Sequence, residues 1–183
     1  MFANIGTFLW RAKMPDEIPH LIEKIEVETD RQKLFNWYRN GHDKEQPSIM
    51  AAALKRAIQL RAAGFDPEDE FENAVFHALA GYEVALSINN NTRRVAANRT
   101  RGLLKRLGTQ DALEFLVDVG REPVGLQLLT SMQLAEFTFE SVIVSFPHRF
   151  TVDQVDEANR RLNEILDNRP SDFIYPQIKR NLF

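Results

Sequence analysis

The stretch that decides the fold is residues 66–90, which read DPEDEFENAVFHALAGYEVALSINN. Its apolar residues recur at steps of three and four, the spacing that places side chains on one face of an α-helix. These residues are Phe71, Val75, Ala78, Tyr82 and Leu86. Asp66 followed by Pro67 is typical of a helix start, and the three asparagines at 89–91 interrupt the pattern. The stretch therefore predicts one long helix with acidic residues in its first turn.

On both sides of this helix, caps and glycines divide the chain into further short helices. Ser, Thr, Asp and Asn favour helix starts and glycine favours helix ends, so this punctuation gives approximate boundaries. The predicted helices cover residues 29–40 before a loop that starts at Gly41, 47–63 before Gly64, 92–107 with Thr92 as the cap, 110–119 before Gly120, a segment from Pro123, and a last one that opens with the capping box at 151–154.

Residues 132–146 carry conflicting signals. The run FTFESVIV at 137–144 has the aromatic and β-branched residues that favour strands. The spacing of Leu134, Phe137 and Ser141 instead fits a helix that ends before Pro147. Because a single strand would have no partner elsewhere in the chain, we predict a helix. The predicted fold class is all-α, a compact multi-helix bundle or short helical array of about eight helices with no secure strand.

The length and composition fit one domain. The chain has 183 residues, of which 44% are hydrophobic and 27% are charged, values typical of a globular protein with one buried core. We expect a single all-α domain over residues 1–166. Residues 167–183 contain two prolines and the aromatic residues Phe173 and Tyr175. This composition predicts an extended C-terminal tail that packs on the body or on a partner.

Several classes of chemistry are disfavoured by what the sequence lacks. It has no cysteine, which removes disulfides, thiolate nucleophiles and cysteine-bound zinc. It has no phosphate-cradling glycine-rich loop, no Gly-x-Ser-x-Gly elbow and no His-Glu-x-x-His motif. We therefore expect no cofactor and favour a non-enzymatic role, with an enzyme as the third alternative. No run approaches the roughly 20 apolar residues of a membrane span, so we expect a cytoplasmic protein without a membrane partner.

One polar group has a spacing compatible with a metal or an acid-base pair. Glu70, Asn73 and His77 lie at steps of three and four on the long helix. We prefer the ordinary interpretation, a polar flank beside an apolar stripe. The only Glu-x-x-His motif, at residues 17–20, contains a proline that argues against a regular helix there. The sequence therefore predicts no metal site.

The most uneven feature of the chain is its charge. Residues 84–110 contain six basic residues and no acidic one. The whole chain has 23 Lys and Arg against 26 Asp and Glu, so the remainder has 17 basic against 26 acidic residues. Charge separated in this way indicates either a docking surface for an anionic partner or an internal pattern of ion pairs.

On a helical wheel, the basic segment is amphipathic with a cationic polar face. Arg94, Asn98, Arg101 and Lys105 fall on one line, flanked by two further arginines. Several guanidinium groups on one face could meet successive phosphates of a nucleic-acid backbone. The predicted nucleic-acid-binding residues are Arg93, Arg94, Asn98, Arg99, Arg101, Lys105 and Arg106.

Two interpretations of this surface stay open. If the two central helices are antiparallel, the acidic residues at 66–72 come near Lys105 and Arg106 and could pair with them. The basic helix also contains no aromatic residue on which a base could stack. Our first hypothesis is a non-enzymatic, nucleic-acid-associated helical module. The alternative is a protein–protein adaptor or a structural subunit of a larger assembly, in which the same charges select a protein partner or a second copy of the chain. Aromatic residues near the two termini would dock on that partner; they are Phe8, Trp10, Phe173, Tyr175 and Phe183.

Overall fold

The computed structural model describes residues 17–90, 95–118 and 124–167. Within these stretches the chain forms nine α-helices and no strand, which confirms the all-α prediction. The helices are α1 (Glu17–Glu26), α2 (Arg31–Asp43), α3 (Pro47–Ala62), α4 (Glu70–Asn89), α5 (Asn98–Leu107), α6 (Thr109–Asp118), α7 (Val124–Ser131), α8 (Phe139–Ser145) and α9 (Val152–Asp167). Two single-turn 3-10 helices, Ala135–Phe137 and Pro147–Arg149, flank α8.

Two of the sequence-level helix signals act as predicted. The hydroxyl of Thr151 accepts from the amide of Gln154 at 3.3 Å, and the Gln154 side chain accepts from the amide of Thr151 at 3.0 Å. This is the reciprocal geometry of a capping box. In the segment with conflicting signals, Thr138 caps α8 by accepting from the amide of Ser141 at 3.2 Å. Helix rather than strand is confirmed for this segment, because a local cap outweighs the β propensity of the residues that follow. The predicted helix over 132–146 is nevertheless divided into a 3-10 turn and the shorter α8.

Two predicted helix starts are wrong. The long helix begins at Glu70, and its cap is Asp69, which accepts from the amide of Glu72 at 2.7 Å. The predicted start at Asp66 therefore lies one turn too early. The basic helix α5 begins at Asn98 and is shorter than the predicted 92–107. Thr92, Gly120 and Pro123, which were expected to mark other helix ends, lie outside the described residues.

Two residues expected to stop or prevent a helix lie inside one. Gly41 is buried within α2, which continues to Asp43. A Cβ at Gly41 would lie 2.9 Å from Met50 Cγ, so this glycine permits the close approach of α3 and does not end α2. Pro19 lies in the first turn of α1, where the missing amide proton breaks no helical hydrogen bond.

The core consists of two apolar clusters joined by α4. Buried residues of the C-terminal half of α4 pack with α1, α2, α3 and the end of α7. Buried residues of its N-terminal half pack with α5, α6, α8 and α9. A Cβ at Gly81, near the middle of α4, would lie 2.8 Å from Phe137 Cβ, so glycine at this position lets the 3-10 turn approach the helix. The α4 helix is thus the element against which α5 is positioned.

The predicted C-terminal tail lies outside the described residues except for Asp167, which is the last residue of α9. The predicted boundary between domain and tail stays a prediction. None of the helices in the described part of the chain combines the length and the apolar character needed to cross a bilayer.

Candidate nucleic-acid interface

The segment that leads into α5 is held by polar side chains of α3 and α4. The amide of Val95 donates to Ser87 Oγ at 2.9 Å, and its carbonyl oxygen accepts from Arg61 Nη2 at 2.9 Å. Ser87 Oγ in turn donates to the carbonyl oxygen of Glu83 at 2.7 Å. The N-cap residue Ala97 has no side-chain cap to offer. These tertiary hydrogen bonds therefore help to fix the start of α5.

The Glu83 side chain lies at the centre of a buried network that joins three helices, and none of its surface is exposed (0%). Its carboxylate accepts from Arg61 Nε of α3 at 2.7 Å and from the amide of Ala97 at 2.9 Å. Arg101 of α5 donates through Nε at 2.5 Å and through Nη2 at 2.7 Å, one bond to each carboxylate oxygen. Glu83 thus satisfies two guanidinium groups and one backbone amide, and it fixes α5 against α3 and α4.

These contacts keep Glu83 ionised. Burial raises the pKa of Glu83, but the hydrogen bonds from Arg101, from the Ala97 amide and from Arg61 outweigh burial, so its pKa lies below the ordinary value. The hydrogen bond to Glu83 raises the pKa of Arg101 in turn. A paired carboxylate in such a place has a structural role, because its lone pairs are directed at protein donors.

The Glu83 network divides the predicted binding face. Arg101 forms an ion pair with Glu83, and 36% of its side chain is exposed. Arg93 and Arg94 lie outside the described residues. The other four predicted residues, Asn98, Arg99, Lys105 and Arg106, are exposed on α5. We refer to Arg99, Lys105 and Arg106 as the basic strip.

Pairing between the basic strip and the acidic residues 66–72, the alternative raised by the sequence, is not observed. Glu72 accepts from the hydroxyl of Thr109 at 3.2 Å, and Asp69 pairs with Arg149 at 2.6 Å. Across residues 17–90, 95–118 and 124–167, no carboxylate forms an ion pair with the basic strip. Its three positive charges therefore face solvent, and the internal ion pair of α5 is made by Arg101 alone.

An open groove runs beside the basic strip between α5 and α6. It has a volume of about 390 Å³, and Arg99, Arg106, Phe115 and Leu116 line it. Gly102 also lines the groove, and a Cβ there would meet nothing within 4 Å. Phe115 is 49% exposed, so an aromatic ring is accessible from solvent beside two guanidinium groups. Proteins that bind single-stranded nucleic acids combine an aromatic face, on which a base stacks, with cations that contact the phosphates.

Sequence reasoning missed both Phe115 and Glu83, although each has a signal. On a helical wheel of α6, Phe115 lies opposite the face that carries the buried residues Ala112, Leu113 and Val117. Glu83 is the only acidic residue between positions 73 and 92, in an otherwise apolar stretch. A lone charge in an apolar helix requires a partner. The wheel of α5 alone could not supply this information, because the partner of Arg101 lies on another helix.

The polar group at Glu70, Asn73 and His77 does not form a ligand cluster. His77 Nδ1 lies 2.9 Å from the carbonyl oxygen of Asn73 on the same helix. In the part of the chain that the structure describes, no three His, Cys, Asp or Glu side chains lie close enough together to hold a metal ion. This group contributes no chemistry to the groove beside α5.

Comparison of the chain with protein-family models, with curated proteins and with solved structures gave no match.

Proposed function

We propose that this protein is a non-enzymatic, nucleic-acid-associated module that binds the sugar-phosphate backbone through the basic strip of α5. The observation that carries the proposal is that Arg99, Lys105 and Arg106 are exposed without acidic partners in the described structure, although the chain has a formal net charge of −3. A cationic strip on an otherwise acidic protein attracts a polyanion to one face and repels it from the others.

The dimensions of the strip suit several phosphates. Arg99 and Arg106 are seven residues apart on a helix, a separation of roughly 10 Å along its axis at 1.5 Å per residue. The three cations of the strip can therefore neutralise about three phosphates of one strand. Helical geometry places both arginines on the same side of α5, and Lys105 lies about 100° around the helix axis from Arg106.

The aromatic ring beside the strip favours a single strand over a duplex. Phe115 lines the same groove as Arg99 and Arg106, and an exposed ring can stack only on a base that is not already stacked in a helix. Although α5 itself contains no aromatic residue, the neighbouring helix α6 supplies the ring.

The test is the salt dependence of binding to a labelled single strand of about 12 nucleotides, measured by fluorescence anisotropy. Three neutralised phosphates give a log-log slope of about −2, from roughly 0.7 per phosphate on a single strand. The double variant Arg99→Gln/Arg106→Gln should flatten this slope by about 1.4. The matched control Lys24→Gln/Arg39→Gln makes the same charge change on α1 and α2 and should leave the slope unchanged. Absence of binding at low salt refutes the proposal.

The adaptor hypothesis has one observation in its favour. Phe115 and Val124 are among the few large apolar residues that are well exposed, at 49% and 65%. Exposed apolar groups beside a charged rim are typical of protein interfaces. Co-purification that measures both the nucleic-acid absorbance and the proteins retained separates the two functions. An adaptor retains a partner protein at salt concentrations that release nucleic acid.

A further inference from the structure

A second cavity lies on the other side of Phe115. It has a volume of about 480 Å³ and is enclosed by α4, α6, α7 and the start of α8. Four aromatic residues line its wall, and the rest of the wall is largely aliphatic. The aromatic residues are Tyr82, Phe115, Phe137 and Phe139. A cavity of this size and composition falls within the range of small-molecule sites.

One carboxylate borders this apolar cavity. Glu140 is buried, with 6% of its surface exposed, and lines the cavity wall. Its ion-pair partner is Arg161, whose Nη1 lies 3.8 Å from Glu140 Oε1, beyond hydrogen-bond distance. Arg161 donates instead to Glu157 and to the carbonyl oxygen of Val117, at 2.7 and 2.6 Å. Burial raises the pKa of Glu140, while its own backbone amide and Arg161 lower it, and burial has the larger effect.

The Glu140 carboxyl group therefore has acceptor capacity that the described side chains do not use. The carboxyl group accepts from its own backbone amide, and a ligand that donates to its remaining lone pairs recovers part of the cost of burying it. The charge of Arg161 at 3.8 Å offsets that of Glu140. The cavity therefore suits a neutral hydrogen-bond donor better than a cation. A purely apolar ligand would leave the remaining acceptor capacity of the carboxyl group unused.

The cavity and the groove beside the basic strip are adjacent. Thr100, Phe115 and Leu116 line both. A strand whose phosphates contact Arg99 and Arg106 therefore lies beside the wall that the groove shares with the cavity. Its bases are the nearest groups that could enter it.

We propose that this cavity binds one unpaired nucleobase that carries an exocyclic amino group, and that Glu140 accepts a hydrogen bond from that group. The inference rests on the proposed function, since it adds base recognition to the same strand. Flat aromatic and aliphatic walls suit the faces of a base, and a carboxylate accepts from the amino group of cytosine. Uracil presents a carbonyl oxygen at the same position, which a carboxylate repels.

The test compares labelled oligocytidine and oligouridine of equal length, which differ at this position of the pyrimidine ring. Wild-type protein should bind oligocytidine about tenfold more tightly, the effect of one good base contact. Glu140→Gln should abolish this preference and leave the salt slope unchanged. Arg99→Gln/Arg106→Gln should weaken both oligonucleotides and keep their ratio. Circular dichroism melts establish that each variant is folded.

A second variant covers the case in which Glu140→Gln does not fold. Val124 lines the cavity and is 65% exposed, so Val124→Trp adds bulk at the mouth without a change in the core. It should also abolish the preference for oligocytidine. Equal wild-type binding of both oligonucleotides with a normal salt slope overturns the base site and leaves the proposed function standing. Binding of neither overturns both.

Discussion

Replacing Glu83 by glutamine tests the central electrostatic feature of the fold. Glutamine keeps the size of the side chain but removes the charge that compensates Arg61, whose side chain is 8% exposed. Breaking a buried ion pair by removing one partner costs about 3–5 kcal/mol, because the remaining charge is left buried without compensation. This cost is a large part of the roughly 5–15 kcal/mol that stabilises a typical domain.

The contribution of Arg101 to the same network is smaller. Its side chain is 36% exposed, so water partly replaces the lost contact, and Glu83 keeps its bonds to Arg61 and Ala97. We expect Arg101→Gln to cost about 1–2 kcal/mol, near the lower end of values for hydrogen bonds to charged groups. The ranking of the two variants thus follows from how deeply each partner is buried.

The assay is urea unfolding at neutral pH, followed by circular dichroism, with the slope of the transition checked for constancy. The matched control is Glu68→Gln, which removes the same charge from an exposed position next to α4 and should change the free energy of unfolding by less than about 0.5 kcal/mol. Adding Arg61→Met to Glu83→Gln should restore part of the loss, because the uncompensated charge on α3 is gone. A cost below about 1 kcal/mol for Glu83→Gln would show that the network is not shielded from water.

Three further predictions follow from the described contacts. Arg101→Gln should leave the salt slope of nucleic-acid binding unchanged, whereas Lys105→Gln should flatten it by about 0.7 without loss of stability, as measured by anisotropy and thermal melts. Gly81→Ala should lower the free energy of unfolding by about 1–3 kcal/mol through overpacking against the 3-10 turn, whereas Gly102→Ala, whose Cβ meets nothing within 4 Å, should raise it by about 0.5–1 kcal/mol. Hydrogen bonds from Arg160 and Arg161 lower the pKa of Glu157 from 4.5 to about 2. The ion pairs of Glu157 therefore stabilise the fold fully above the pKa that Glu157 has in the unfolded chain. This stabilisation is lost as the pH falls through the pKa of Glu157 in the folded protein. On acidification across this range, thermal unfolding should show a smaller loss of stability for Glu157→Gln than for wild type.

The parts of the fold that could be predicted are those controlled by local interactions. A capping box such as the one that begins at Thr151 depends on residues within one turn, so its effect is readable from the sequence. Gly41 was predicted to end α2, but it instead allows Met50 of α3 to pack closely against the helix. No local sequence pattern distinguishes this role from that of a helix stop. The start of α4 was placed one turn early because Asp66 and Asp69 both resemble caps.

The candidate site was predictable only to the level of one helix. Periodicity places the basic residues of α5 on one face, but it cannot tell which of them a buried acid on another helix will engage. Glu83 lies 18 positions from Arg101, and their pairing depends on how α4 and α5 pack. Phe115 was missed for a related reason, since its relevance comes from the contact between α6 and α5.

The way in which Arg61, Glu83 and Ser87 hold the start of α5 has a consequence for binding thermodynamics. A basic helix that orders only on contact with its ligand loses conformational entropy at that moment, and its affinity falls accordingly. Here the orientation of α5 is set before any ligand arrives, so the guanidinium groups of Arg99 and Arg106 need to lose only side-chain freedom. Association should then proceed as a docking of preformed surfaces, with a rate governed by electrostatic steering and a small change in heat capacity.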